Sequence, residues 1–311
     1  MRTMTKTGVI LLAFLLLAAC GGNTATAPSQ TPTPTPTPTF DETWTAEYGI
    51  RLPDTTSTST IILPDNTYRT YYAGISTATS VDGLNWGNKA LVVRSGQGEF
   101  NRNPAIFRTS ANTFGMIYEQ VVNNVGRFYR ATSPDGVNFT VSPSTAVMQP
   151  SASDRNFLSV PDIISLGDGT IRMYFVAGGD LTDSATSTDG GVTWTREGRI
   201  TISGLSAANW VVDADLVRLP SGGYRIYFAT GPDGQSGLSR KRIRSATSID
   251  GRTFTLDAGI RVALLTSEDD LVDPDVIQLP DGRYRMYYGY STSGGKYNLM
   301  SSITSTLAAG R

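Results

Sequence analysis

The sequence predicts an all-β fold, a five-bladed β-propeller with four-stranded blades that spans residues 40–311. A strand–turn–strand motif occurs five times at intervals of roughly 50 to 60 residues, the signature of a repeat architecture. A second turn motif follows each of the first four copies. Two hairpins per repeat make a four-stranded blade, and radial repetition of such blades makes a propeller.

The first motif joins an apolar strand end, a tight turn and an alternating aromatic strand, and its clearest copy runs from Leu279 to Tyr288. The other copies, of which the last is the weakest, are Leu219 to Phe228, Leu166 to Phe175, Leu63 to Tyr72 and Thr109 to Tyr118. Turns such as Pro-Asp-Gly supply the fixed and the positive φ angles that a hairpin needs. The flanking β-branched and aromatic residues favour strands. Each copy therefore predicts the first hairpin of a blade.

The second motif, called here the Ser-Asp turn, precedes the outer strand. Its four copies are Ser80 to Trp86, Ser133 to Phe139, Ser187 to Trp194 and Ser248 to Phe254. The aspartate can accept bonds from backbone amides of the turn, the glycine takes a positive φ, and the final aromatic can pack between sheets. These turns resemble the Asp-box of sialidases. We interpret them as structural, because each of these residues has a role in forming or packing the turn. A sialidase is disfavoured for a separate reason, because it would need six blades, an arginine triad and a tyrosine nucleophile.

The two ends of the propeller are predicted to complete each other. The fifth repeat stops after the segment from Tyr297 to Ser305 and has no outer strand. The segment from Glu42 to Thr45 aligns with Val192 to Thr195, which begins the outer strand of blade 3. We therefore predict that residues 40 to 50 form the outer strand of the last blade and close the ring.

The first 39 residues predict export and anchoring. Residues 1–19 have the basic start and short apolar core of a signal peptide, and the sequence Leu17 to Gly21 resembles a bacterial lipobox with Cys20 as the lipidated residue. Residues 20–39 form a threonine- and proline-rich linker that favours polyproline II. We expect an extracytoplasmic protein of the cell envelope, held to the membrane by lipid. One alternative is that residues 1–19 belong to an ordinary secretory signal and Cys20 is discarded with it. The other alternative is that the linker is a proline-rich ligand for a partner domain.

Composition excludes several classes of function. The net charge of −1 argues against a nucleic-acid partner, which would require a basic surface. The chain contains no histidine, so neither a histidine metal site nor a histidine general base is available. Its single cysteine cannot form an internal disulfide. We expect no metal or other cofactor, and a monomer.

Acidic residues recur where the inner strands begin. The position four residues before each copy of the first motif is occupied, in blades 1 to 5, by Ser59, Ala105, Asp162, Asp215 and Asp275. Two residues earlier they show Ser57, Asn103, Val160, Asp213 and Asp273. Five aspartates are thus predicted to gather at the channel mouth on blades 3 to 5. Crowded carboxylates raise one another's pKa, which lets one act as an acid beside an ionised base.

The strand starts around Asp162 and Asp275, with the blade count, resemble the arabinanase, levansucrase and invertase superfamily, which includes glycoside hydrolase families 43 and 32. The resemblance implies two aspartates and a glutamate in the funnel. Asp162, Asp215 and Asp275 occupy comparable positions, and Glu268 or Glu99 could be the acid, with Glu119 as another loop candidate. The chain departs from the family on blade 1, where Ser57 and Ser59 replace the usual aspartate.

Our first hypothesis is a glycoside hydrolase-like propeller that acts on an extracellular glycan. Asp213, Asp273, Arg155 and Arg102 would contact the carbohydrate, and Trp210 could stack on a sugar ring. Three alternatives stay open. The aspartates could merely tie blades together through backbone amides; the protein could bind glycan or protein without catalysis; or it could be an envelope scaffold.

Overall fold

The computed structural model describes residues 43–94, 99–109, 113–232, 240–263, 269–292 and 295–305, all within the compact unit Asp41–Arg311. These residues form a five-bladed, all-β propeller, which confirms the predicted fold. Cys20, the linker and Glu268 lie outside the described residues. Within the described ranges no helix is long and apolar enough to cross a membrane.

The strands follow one another blade by blade, each blade running from the channel outward. β1 (Trp44–Leu52) comes first, and blade 1 then contains β2 (Ser59–Ile62), β3 (Tyr68–Tyr72), β4 (Ser76–Ser80) and β5 (Gly87–Leu91). Blade 2 contains β6 (Phe100–Arg108), β7 (Phe114–Val122), β8 (Val125–Ser133) and β9 (Thr140–Val141). A 3-10 helix (Ala152–Asp154) leads to blade 3, which contains β10 (Leu158–Ser165), β11 (Ile171–Ala177), β12 (Leu181–Ser187) and β13 (Thr195–Arg199). After β14 (Thr201–Ser203), blade 4 contains β15 (Val212–Arg218), β16 (Tyr224–Thr230), β17 (Arg242–Ser248) and β18 (Thr253–Leu256). Blade 5 contains β19 (Asp269–Gln278), β20 (Tyr284–Thr292) and β21 (Asn298–Thr304).

The predicted ring closure is confirmed. β1 pairs antiparallel with β21, with Trp44 opposite Thr304, and so supplies the outer strand of blade 5. The inner strand β2 contacts both β6 and β19, which completes the ring around the channel. Trp44 packs edge-on against Tyr227 of blade 4 with ring centroids 5.7 Å apart. Trp86 and Phe139, which end Ser-Asp turns, pack in the same way against a tyrosine of the preceding blade.

Blade 4 differs from the predicted four strands. The connector from blade 3 contributes β14, which pairs in parallel with the outer strand β18 and makes a five-stranded sheet. An outer strand presents unpaired backbone groups, and a connector that runs along it satisfies them.

The Ser-Asp turns join neighbouring blades. In the first turn, Asp82 Oδ1 accepts the backbone amides of Leu84 and Asn85 at 2.8 and 2.9 Å, as predicted. The turn carbonyls face the preceding blade, where Tyr287 Oη donates to the Gly83 carbonyl at 2.8 Å. The same bond joins Tyr71 to Gly136 at 2.8 Å and Tyr174 to Gly251 at 2.7 Å. Each of these turns is therefore both a hairpin and a link between blades.

The backbone bends at the same place at the start of each inner strand. The residues two before the strand-start positions all have positive φ: Ser57 (52°), Asn103 (50°), Val160 (46°), Asp213 (54°) and Asp273 (50°). In blades 2 to 5 the pairing register shifts at this point. A β-branched residue rarely adopts this conformation, so Val160 shows how strongly the surrounding fold imposes the bend. The bend sets the direction of the strand-start side chains that follow it.

Candidate functional site

A polar funnel opens where the five bent strands meet. Its empty space is about 320 Å³, counting the part open to solvent. Its lining comprises Ser57, Thr58, Ser59, Asn103, Pro104, Val160, Pro161, Asp162, Ala214, Asp215, Asp273 and Pro274. Seven of the ten aligned strand-start residues are in this lining, and the three that are not are Ala105, Asp213 and Asp275.

The strand-start side chains also tie four of the five blades to the next blade. The Leu216 amide donates to Asp162 Oδ2 at 3.0 Å, and the Val276 amide donates to Asp215 Oδ2 at 3.1 Å. The amide of Thr60 donates to Asp275 Oδ1 at 3.2 Å. Ser59 Oγ continues the pattern by accepting the Ile106 amide at 3.0 Å. Ala105 has no side-chain acceptor, so this ring of bonds is interrupted between blades 2 and 3.

These bonds separate the aspartates into two kinds. Asp275 Oδ2 accepts further bonds from the hydroxyls of Thr58 and Thr60 at 2.8 and 2.6 Å, so both of its oxygens are hydrogen-bonded. Asp273 Oδ2 accepts the hydroxyls of Thr56 and Ser57 at 2.7 and 2.6 Å. These two carboxylates hold blade 5 against blade 1. Asp162 and Asp215 line the funnel, as Asp273 does, and each accepts an amide bond from the neighbouring blade.

Burial raises the pKa of all three strand-start aspartates. It raises the pKa of Asp162 to about 7, and the nearby charge of Asp275 adds to the effect, although the channel leaves part of this side chain exposed. Burial, followed by the charges of Asp162 and Asp275, raises the pKa of Asp215 well above its ordinary value of 3.8. The pKa of Asp275 is also raised by burial, while its threonine partners oppose the rise. A carboxylic acid and a carboxylate can therefore coexist in this funnel near neutral pH.

A second acidic group lies closer to the entrance, between blades 4 and 5. Burial and the charge of Asp273 raise the pKa of Asp213, and the charge of Lys241 opposes the rise. Lys241 Nζ lies 2.7 Å from Asp270 Oδ2, which also accepts the Tyr297 hydroxyl at 2.6 Å. A buried lysine thus compensates part of the negative charge on this side.

Glu119 is not the loop residue that the sequence predicted. It lies inside β7, its side chain is 1% exposed, and Arg102 Nη2 donates to its Oε1 at 2.7 Å. Asn103 Nδ2 and Ser159 Oγ bind its other oxygen. The loop assignment was wrong because the weak blade 2 repeat concealed how far β7 extends. Glu99 binds Gln120 Nε2 at 3.0 Å near this cluster.

The other predicted contact residues lie around the entrance. Arg155 follows the 3-10 helix, is largely exposed and pairs with Asp180 at 3.0 Å. Trp210 is partly buried and packs with Val160 against Val176, Val212 and Ala229. Across the described part of the chain, no group of three or more acidic or cysteine side chains is arranged to hold a metal ion.

Neither a protein-family model nor a curated protein sequence matches this chain. Solved structures do. A thermostable family-43 glycoside hydrolase superposes with a TM-score of 0.61 at 14% identity, over 80% of this chain and 88% of that one. The chain shares its fold. An N-acetylgalactosamine deacetylase from F. plautii, in complex with blood group B trisaccharide, gives a TM-score of 0.62 at 13% identity, over 83% of this chain and 92% of the other.

The protein BT0996, solved as an RGII complex, gives a TM-score of 0.68 at 14% identity, over 87% of this chain and 95% of that one. All three matches extend over most of both chains, so the shared architecture is the whole propeller. They confirm at the level of the fold the resemblance to family 43 that the strand starts indicated.

Proposed function

We propose that this propeller hydrolyses a glycan whose end enters the funnel, with Asp162 and Asp215 as the reacting pair. The observation that carries the proposal is the placement of these two carboxyls. Both line the funnel, and burial raises the pKa of both. The relatives of known structure support a carbohydrate ligand, because they include a glycoside hydrolase and a trisaccharide complex.

The raised pKa values favour distinct roles. Burial and the charges of Asp162 and Asp275 raise the pKa of Asp215 well above its ordinary value, so we assign it as the general acid that protonates the glycosidic oxygen as the bond to the anomeric carbon breaks. Asp162, with a pKa of about 7, is the base that takes a proton from the attacking water. Asp275 contributes through its charge, which raises the pKa of both partners. Glu268 stays a prediction outside the described residues.

A second candidate function is glycan binding without hydrolysis. It is favoured by the inter-blade bonds, because an aspartate that accepts an amide from the next blade already has a structural role. In that case the funnel carboxyls would bind sugar hydroxyls and undergo no proton transfer. The carbohydrate class is the same for both candidates, so the experiment below compares release with binding.

The test measures reducing-sugar release from a panel of plant and microbial polysaccharides. Asp162→Asn and Asp215→Asn each remove the proton transfer while the amide oxygen still accepts the bond from the next blade. We expect each to lower the rate at least about 100-fold. Asp168→Asn is the matched control, because Asp168 is an exposed turn residue that accepts the Thr170 amide at 2.9 Å. Release that survives both funnel substitutions would contradict the site, and binding without release would favour the second candidate.

We also propose that the protein acts on the outer side of a membrane, anchored through Cys20. The apolar segment and lipobox-like sequence support this location. A glycan substrate in the cell envelope or the surroundings is consistent with it.

A further inference from the structure

Three aromatic residues occupy one equivalent position on consecutive blades at the funnel entrance. Phe100, Phe157 and Trp210 stand five residues before Ala105, Asp162 and Asp215 on blades 2, 3 and 4. The backbone pairing supports the equivalence, since Phe100 lies opposite Val121 and the Phe157 carbonyl accepts the Gly178 amide at 3.1 Å. At the rise of a strand, about 3.3 Å per residue, they stand roughly 10 Å above the bend.

These rings are accessible to a ligand. Phe100 is 55% exposed and Phe157 is 38% exposed. Trp210 packs against the buried cluster of Val176, Val212 and Ala229 and keeps one part exposed. The Arg102 guanidinium lies 6.0 Å from the centroid of the Phe100 ring and is itself bound by Glu119. A ligand that covers these rings removes apolar surface from water, which favours binding.

The same position on the other two blades is charged. Blade 5 has Asp270, which Lys241 binds at 2.7 Å, and blade 1 has Asp54, which Lys296 binds at 2.9 Å. The entrance is thus divided into an aromatic side on blades 2 to 4 and a side of ion pairs on blades 5 and 1. A ligand that contacts the rings must lie across blades 2 to 4.

The charges near the rings select the chemistry of that ligand. Arg102 and Arg155 are neutralised by Glu119 and Asp180, and the funnel below carries aspartates. An anionic chain would find no free positive charge among these residues. Neutral sugars offer both partners that the surface needs, because their C–H faces stack on aromatic rings and their hydroxyls bind amides and carboxylates.

We propose that Phe100, Phe157 and Trp210 form a stacking arc that holds several residues of a neutral glycan chain and directs its end into the funnel. The proposal rests on the proposed function and adds the substrate class, a neutral polysaccharide. Neighbouring blades are about 10 Å apart at their faces, so the arc spans more than one sugar residue. Short oligosaccharides that cannot reach all three rings bind more weakly than long chains.

The test measures binding by affinity electrophoresis with soluble arabinan, galactan and mannan as neutral probes, and polygalacturonate as the anionic comparison. Phe100→Ala, Phe157→Ala and Trp210→Ala each raise the Kd for the bound neutral probe about tenfold, as expected for truncated anchor residues. Tyr48→Ala is the matched control and leaves the Kd unchanged, because Tyr48 is a fully exposed aromatic on the outer strand β1. Phe100→Tyr and Trp210→Phe retain most of the affinity.

Native affinity in all three alanine variants overturns the arc, as does tighter binding of polygalacturonate than of every neutral probe. If either result is obtained while Asp162→Asn still abolishes sugar release, the proposed function stands without the arc. If the native protein binds none of the probes and releases nothing, both proposals fail together.

Discussion

Raising the pH from about 4 to about 8 should lower the free energy of unfolding of this propeller. The folded-state pKa is raised for all five aspartates near the starts of the inner strands, which are Asp162, Asp213, Asp215, Asp273 and Asp275. The folded protein therefore keeps protons that the unfolded chain releases just above its ordinary pKa. The resulting stabilisation is complete below about pH 4 and is lost as the pH rises through the folded-state values.

Asp162 gives the scale of this effect. A rise in its pKa from 3.8 to about 7 corresponds to on the order of 4 kcal/mol, lost between about pH 4 and pH 7. The Ser-Asp turns act in the opposite direction below this range. Backbone amides and neighbouring hydroxyls lower the pKa of Asp250 to about 2, so its stabilisation is lost as the pH falls below about 4. Maximum stability is therefore expected near pH 4.

Urea unfolding followed by tryptophan fluorescence at several pH values measures this dependence. The variant Asp162→Asn cannot ionise, yet its side-chain oxygen can still accept the Leu216 amide. Its stability relative to the native protein should therefore increase with pH, by up to about 4 kcal/mol near pH 8. Asp168→Asn should follow the native curve over this pH range. A native stability that is flat or rises from pH 4 to 8, or an Asp162→Asn curve parallel to the native one, would refute the reasoning.

Two further predictions concern a turn and the anchor. Gly83→Ala should lower the free energy of unfolding by about 3 kcal/mol or more, because the new Cβ would meet Arg285 Nη1 and lie 2.7 Å from Tyr287 Oη. Gly74→Ala is the control and should cost about 1 kcal/mol, because Gly74 has a similar φ but open space around it. Equal losses in chemical denaturation would show that the turn is not tightly packed against blade 5. In a bacterial host, labelled palmitate should enter the native protein and not Cys20→Ser, and label on both or on neither would contradict lipidation at Cys20.

The fold could be predicted because its signals are local and repeated. Each hairpin has its own turn residues, and five weak patterns at regular intervals support one architecture. The alignment of Trp44 with Trp194 also identified the closing strand. Trp44 packs against Tyr227 in the way that the aromatic residue of a Ser-Asp turn packs against a neighbouring blade. Aligning the strand starts located the funnel aspartates for the same reason.

What the sequence did not reveal depends on partners in other blades. The arginine and tyrosine two residues apart in the repeated strand, such as Arg285 and Tyr287, are an example. Both donate to carbonyls of the next blade's Ser-Asp turn, which no local pattern indicates. The positive φ of Val160 runs against its own preference and follows from the ring. Phe100 and Phe157 could have been found by extending the strand-start alignment three positions further.

The pairing of β1 with β21 has a consequence for how the molecule folds. Ser301 Oγ donates to Glu47 Oε2 at 2.7 Å across a separation of 254 residues, and contacts so distant along the chain form slowly. Until they form, β21 is an exposed edge strand that can pair with any suitable partner. At high concentration, β1 from a second copy is such a partner, so refolding should yield exchanged dimers in competition with monomers. The pairing of β1 with β21 completes the ring, and it is also the folding step with which self-association competes.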